Sequence, residues 1–117
     1  WTNLALNSKW EPYPGDFEDP GVSVRNGVVR LRGLAKVKHG GGWTWVNSGY
    51  THLGTLPEGY RPLKTRIFSV TSYQAGNGTT MARRLNVYAN GNIEVYIAVQ
   101  SFSPTWVSLD GVQFTAD

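Results

Sequence analysis

Within residues 39–52 the chain sets Trp43, Trp45 and Tyr50 among His39, Asn47 and His52. Flat rings beside hydrogen-bonding side chains suit one kind of chemistry well. A pyranose presents faces of aliphatic C–H that stack on an aromatic ring, and a rim of hydroxyls that amides and imidazoles can hold. A second aromatic loop, SYQAGNGT at residues 72–79, offers the same mixture in Tyr73, Gln74 and Asn77. These nine residues are the candidate saccharide contacts. For the two indoles the residue pattern leaves alternatives open. On a strand Trp43 and Trp45 point the same way, and that side can be core, a subunit interface or a ligand surface. Trp10 and Trp106 sit beside apolar strand residues and are expected in the core.

Catalytic groups are present without catalytic spacing. Four of the eight carboxylates, Glu11, Asp16, Glu18 and Asp19, share one proline-rich stretch, which reads as a solvated acidic loop. A glycosidase pair drawn from Glu58, Glu94 and Asp110 has nothing in its spacing to favour it. His39 and His52 lack the HxH or HExxH arrangement of a metal site. There is no GxSxG elbow, and cysteine is absent, so neither a thiol nucleophile nor a disulfide framework is available. The glycine clusters at 40–42 and 76–78 are not followed by a helix pattern and read as turns, not phosphate cradles. The expectation is a protein without catalytic residues, metal or cofactor.

The elements that would carry these loops are strands. Asn26-Gly27, Asn77-Gly78, Asn90-Gly91 and Asp110-Gly111 are hairpin signals, because such pairs tolerate positive φ at both central positions. Apolar alternation flanks them: Leu85, Val87 and Ala89 before Asn90, then Ile93, Val95, Ile97 and Val99 after it. Strands are also expected in VSVR and VVRLRGLAKV on either side of Asn26-Gly27, and at 65–71, 80–84, 106–109 and 111–115. No window repeats its apolar residues at a helical period over three turns, and 20 of the 117 residues are Gly or Pro. About eight short strands predict an all-β, antiparallel β-sandwich or jelly-roll-like barrel.

Size and charge narrow the partners. The 117 residues are read as one domain, 1–117, starting part-way into a longer protein whose N-terminal stem or neck is absent. The net charge of +3 comes from dispersed bases, many at alternate strand positions, which argues against a nucleic-acid surface. No apolar run is long enough for a membrane span. The aromatic content, 13%, is high enough to imply a tight core, a contact surface, or both.

Five pieces of the chain, taken in order, carry a resemblance: LNSKWEPY, NGVVRLRG, LGTLPEGYRP, NVYANGNIEVY and WVSLDGVQF. Together they are similar to the C-terminal receptor-binding head domains of tail fibre and baseplate proteins from phages of Gram-positive bacteria, including streptococcal and lactococcal ones. The resemblance implies a β-barrel or jelly-roll head without catalysis, assembled as a homotrimer at the distal tail of the virion. It implies binding to a host cell-wall or capsule polysaccharide, and joining to other tail or baseplate proteins through the preceding stem. It assigns no saccharide contact to a particular residue. The LPEGYRP segment reads as structural, with Tyr60 and Arg61 packing or pairing at the barrel rim. Two other functions stay open, a structural docking domain of the tail and a polysaccharide-degrading tail enzyme.

Overall fold

The computed structural model describes residues 1–38, 49–74, 79–97 and 105–116. Among them are twelve strands and no helix. In chain order they are β1 (Thr2–Asn3), β2 (Ala5–Leu6), β3 (Trp10–Pro12), β4 (Gly21–Arg25), β5 (Val28–Arg32), β6 (Leu34–Val37), β7 (Gly49–Thr55), β8 (Arg66–Gln74), β9 (Thr79–Val87), β10 (Asn92–Ile97), β11 (Thr105–Ser108) and β12 (Gln113–Thr115). Every pairing is antiparallel. A four-stranded sheet runs β1-β4-β5-β12, and an eight-stranded sheet runs β2-β7-β10-β9-β8-β11-β6-β3.

The larger sheet is forced to curl. Its two edge strands, β2 and β3, are neighbours in sequence, joined only by Asn7, Ser8 and Lys9. That link spans at most ~14 Å between Leu6 and Trp10, whereas eight flat strands would separate the edges by roughly 34 Å. The turn is tied to both sides, by Asn7 N–H donating to Leu53 O at 2.8 Å and Lys38 N–H donating to Lys9 O at 3.0 Å. The result is the nearly closed, barrel-like sheet that the hairpin pattern predicts, with the small sheet packed against it.

Two continuous stretches cross between the sheets. Leu4 separates β1 from β2, and Gly33 separates β5 from β6, each pair belonging to different sheets. Gly33 adopts φ +107°, and a Cβ there would collide with the backbone of Asp19 and Pro20. Only glycine lets the chain change sheets at that point.

Inward alternation builds the core from Val22, Val29, Leu31, Leu53, Val70, Leu85, Val87, Ile93, Val95, Val107 and Phe114, all buried. Each side chain so buried contributes about 1.5–3 kcal/mol relative to exposure. Trp10 joins them at 2% exposure, as expected. Trp106 does not: Val107 is the residue of β11 that points inward, so its neighbours Trp106 and Ser108 lie on the outer face, half-buried. The expectation of a core Trp106 is therefore corrected by a one-residue shift in strand phase.

The hairpin signals differ in detail. Asn26 (φ 51°) and Gly27 (φ 77°) both take positive φ, whereas in Asn90-Gly91 and Asp110-Gly111 only the glycine does. Asn77-Gly78 lies outside the described residues. The LPEGYRP segment links β7 to β8 as a brace. Leu56 N–H donates to Gly91 O at 2.8 Å and Arg61 Nε donates to Leu56 O at 3.0 Å, tying it to the β9–β10 turn. Tyr60 packs on the core.

Candidate functional site

The outer face of β8, β11 and β6 carries a groove of about 370 Å³, lined by Tyr13, Phe17, Glu18, Gly33, Leu34, Thr71, Trp106, Ser108 and Asp110. Strand register explains its floor. Trp106 pairs with Tyr73 of β8 on one side and Lys36 of β6 on the other, while Ser108 pairs with Leu34. The Trp106 and Tyr73 rings stack, centroids 5.8 Å apart at 12°. Such a cross-strand aromatic pair contributes about 0.5–1.5 kcal/mol beyond area burial and fixes the orientation of the indole.

One wall of the groove is the loop at 13–18, strapped to the sheet through a single residue. Tyr13 N–H donates to Leu34 O at 2.9 Å, and Leu34 N–H donates to Glu18 O at 3.0 Å. Gly15 turns the loop with φ +101°. Phe17, 54% exposed, meets Tyr13 edge to face at 5.3 Å and 85°. The far end is set by Asp110, whose Oδ1 accepts from Gly33 N–H at 2.8 Å, while Leu109 N–H donates to Gly33 O at 2.8 Å. The groove thus combines three aromatic rings with hydroxyls and carboxylates, the mixture that holds a sugar by its C–H face and its hydroxyl rim.

The acidic stretch is less uniform than its composition suggests. Glu11 is in β3 and pairs with Lys36 at 2.9 Å, and Glu18 faces Arg32 at 3.6 Å. The Arg32 guanidinium also lies over the Trp1 ring, 4.2 Å from its centroid. Among the carboxylates weighed for catalysis, Glu94 accepts from the Tyr88 hydroxyl at 2.8 Å. That bond, with burial, holds the Tyr88 phenol above its ordinary pKa. No group of three or more potential metal ligands occurs among the described residues.

Of the nine predicted contacts, Tyr73 supports the groove through Trp106. Gln74 ends β8, its backbone paired with Thr79 and Thr105. Tyr50 and His52 lie elsewhere, on β7. Tyr50 pairs with Tyr96 of β10, centroids 5.2 Å apart, with the Arg84 guanidinium 5.7 Å from its ring. His52 Nε2 donates to Gly54 O at 2.9 Å, which makes Nδ1 the acceptor of the 3.3 Å bond from Asn7 Nδ2. Both ring nitrogens are engaged, beside a shallow depression lined by Asn7, Lys9, Tyr50, Thr51 and His52. His39, Trp43, Trp45, Asn47 and Asn77 lie outside the described residues.

The sequence reading missed Tyr13, Phe17, Trp106 and Asp110 as site residues. The signal was present in the alternation of WVSL, where Val107 and Leu109 claim the inside and leave Trp106 outside.

With this geometry in place, the solved structure of the head domain of phage bIL170 is directly comparable. It belongs to the receptor-binding domains of lactococcal phages and superimposes with a TM-score of 0.66 at 20% identity, covering 100% of this chain and 97% of its own. The chain has the phage head-domain fold. The match extends from the N-terminal strands to β12, so the groove and the Tyr50 face both lie on the shared head-domain scaffold. No protein-family model matches the sequence, and no curated protein matches it.

Proposed function

We propose that this chain is the receptor-binding head of a phage tail fibre or baseplate protein, and that it grips a saccharide of the host cell wall or capsule in the Trp106 groove. The observation that carries the reading is the stacked Trp106–Tyr73 pair facing a loop with two further rings, on a head-domain fold. Tyr73 acts by holding Trp106, and Tyr50 offers a second ring face. His52 braces that face through its hydrogen bonds to Asn7, Gly54 and Thr55, while His39, Trp43, Trp45, Asn47, Gln74 and Asn77 are proposed contacts on their chemistry alone. The head works as a homotrimer at the distal tail, joined through a preceding stem to other tail proteins. Weak single sites then suffice, since linked heads raise avidity by roughly 10² to 10⁴. Exposed Trp1, Leu63 and Ile67 supply apolar area for a sister subunit.

The test is adsorption of the labelled domain to Gram-positive host cells, competed with their purified wall polysaccharide. Saturable binding abolished by the polysaccharide, with no new reducing ends released, is the expected result. Binding only to another virion protein would replace this reading with a docking domain, and release of reducing ends would replace it with a polysaccharide-degrading enzyme.

A further inference from the structure

The charge around the groove is one-sided. Two of its lining residues are carboxylates, Glu18 and Asp110, and no lysine or arginine lines it among the described residues. The internal segments outside the description, 39–48, 75–78 and 98–104, contain no Lys, Arg, Asp or Glu, and the one further charged side chain outside it, Asp117, is itself an acid, so these residues supply no lysine or arginine as counter-charge. Two neighbouring bases are already paired. Arg32 is shared between Glu18 and the Trp1 ring, and Lys36, beside Trp106 in the register, holds Glu11 at 2.9 Å. Asp110 has no cationic partner among the described residues. Its Oδ1 is turned to the Gly33 amide, which fixes the carboxylate at the groove end.

We infer, building on the saccharide reading above, that the groove discriminates by charge. It admits sugar units that are neutral or carry a free amine and turns away phosphorylated or uronic ones, with Glu18 and Asp110 as the residues that set this. An anionic group seated on the Trp106 floor would meet the carboxylate of Asp110, which has no cationic partner among the described residues, while Arg32 and Lys36 are held by Glu18 and Glu11. A protonated 2-amino group gains twice, from the carboxylates and from the negative face of the indole. Because both carboxylates are solvent-exposed, the preference is modest and salt-sensitive.

The experiment is a glycan array carrying neutral, amine-bearing, phosphate-bearing and carboxylate-bearing sets, probed with the whole chain at low ionic strength. It is followed by titration of the best hit in its free-amine and N-acetylated forms just below neutral pH. Expected are hits confined to the neutral and amine-bearing sets, and a free-amine form that binds about 1.5- to fivefold tighter, the span that an exposed charge pair supplies. The combined Glu18→Gln and Asp110→Asn variant keeps an acceptor for Gly33 N–H, so it should fold as the parent does. It should lose the amine preference and tolerate acidic glycans. Hits dominated by phosphorylated or uronic glycans, or an amine preference unchanged in the variant, would overturn the charge selectivity while leaving saccharide binding intact. An array with no hit at all would overturn the saccharide reading itself, and this inference with it.

Discussion

The indole of Trp106 lies nearly parallel to the phenol of Tyr73, 12° between planes and 5.8 Å between centroids, across the β8–β11 pair. A stacked partner on an adjacent strand immobilises a ring before any ligand arrives, which lowers the ordering cost that a shallow site must otherwise meet on binding. The groove is therefore preorganised at its floor.

The loop wall makes the first prediction. Phe17 is exposed and touches Tyr13 only edge to face, so Phe17→Ala should leave the midpoint of thermal unfolding unchanged. Saccharide affinity should fall about three- to tenfold, the worth of one aromatic contact. Calorimetric titration beside a melting curve checks both halves; an unchanged affinity removes Phe17 from the site.

Gly33 makes the second. Its φ of +107° and its approach to the Asp19–Pro20 backbone leave no room for a Cβ, whereas Gly111, at φ +88°, faces open space. Gly33→Ala should cost at least ~2 kcal/mol and Gly111→Ala about 1 kcal/mol, the latter from left-handed strain alone. Urea denaturation of both variants measures the difference, and equal costs would contradict the account of the sheet crossing.

Tyr88 supplies a pH dependence. Its hydroxyl donates to Glu94 and accepts from Asn86 Nδ2 at 3.2 Å, and the bond to Glu94, with burial, raises the phenol's pKa. A folded pKa above the unfolded value of about 10 means the stabilisation is fully present below pH ~10 and is lost as pH rises through the folded pKa. The stability gap between the parent and Tyr88→Phe should be constant through neutral pH and close in strong alkali. Denaturation series at increasing pH would show this; a gap that widens there would refute it.

How much was legible beforehand follows strand physics. The hairpins around Asn26-Gly27 and Asn90-Gly91 announce themselves because a tight turn needs special residues and the sheet needs alternation. Strand β7 was hidden because GYTHLGT carries two glycines. Gly54 is there because a Cβ would stand 2.7 Å from Ala5 O, a demand of tertiary packing that no local pattern encodes. The strands β1 to β3 are two or three residues long and have no room to show a period. At the site, ring-bearing loops were the visible signal, so Tyr50 and His52 were grouped with Trp43 and Trp45 by sequence proximity. The groove instead gathers Tyr13, Gly33, Thr71, Trp106 and Asp110 from distant segments through strand order β8-β11-β6-β3. Sequence spacing cannot report that neighbourhood.

Trp106→Ala is the variant that bears most directly on the whole account. Trp106 is half-buried on an outer face and the core residue beside it is Val107, so the folded state should survive with a small loss in unfolding midpoint. Titration of host wall polysaccharide into parent and variant should show affinity reduced at least about tenfold, the effect of removing a stacking platform. Undiminished affinity in a folded Trp106→Ala protein would place the saccharide elsewhere and contradict the groove as the receptor site.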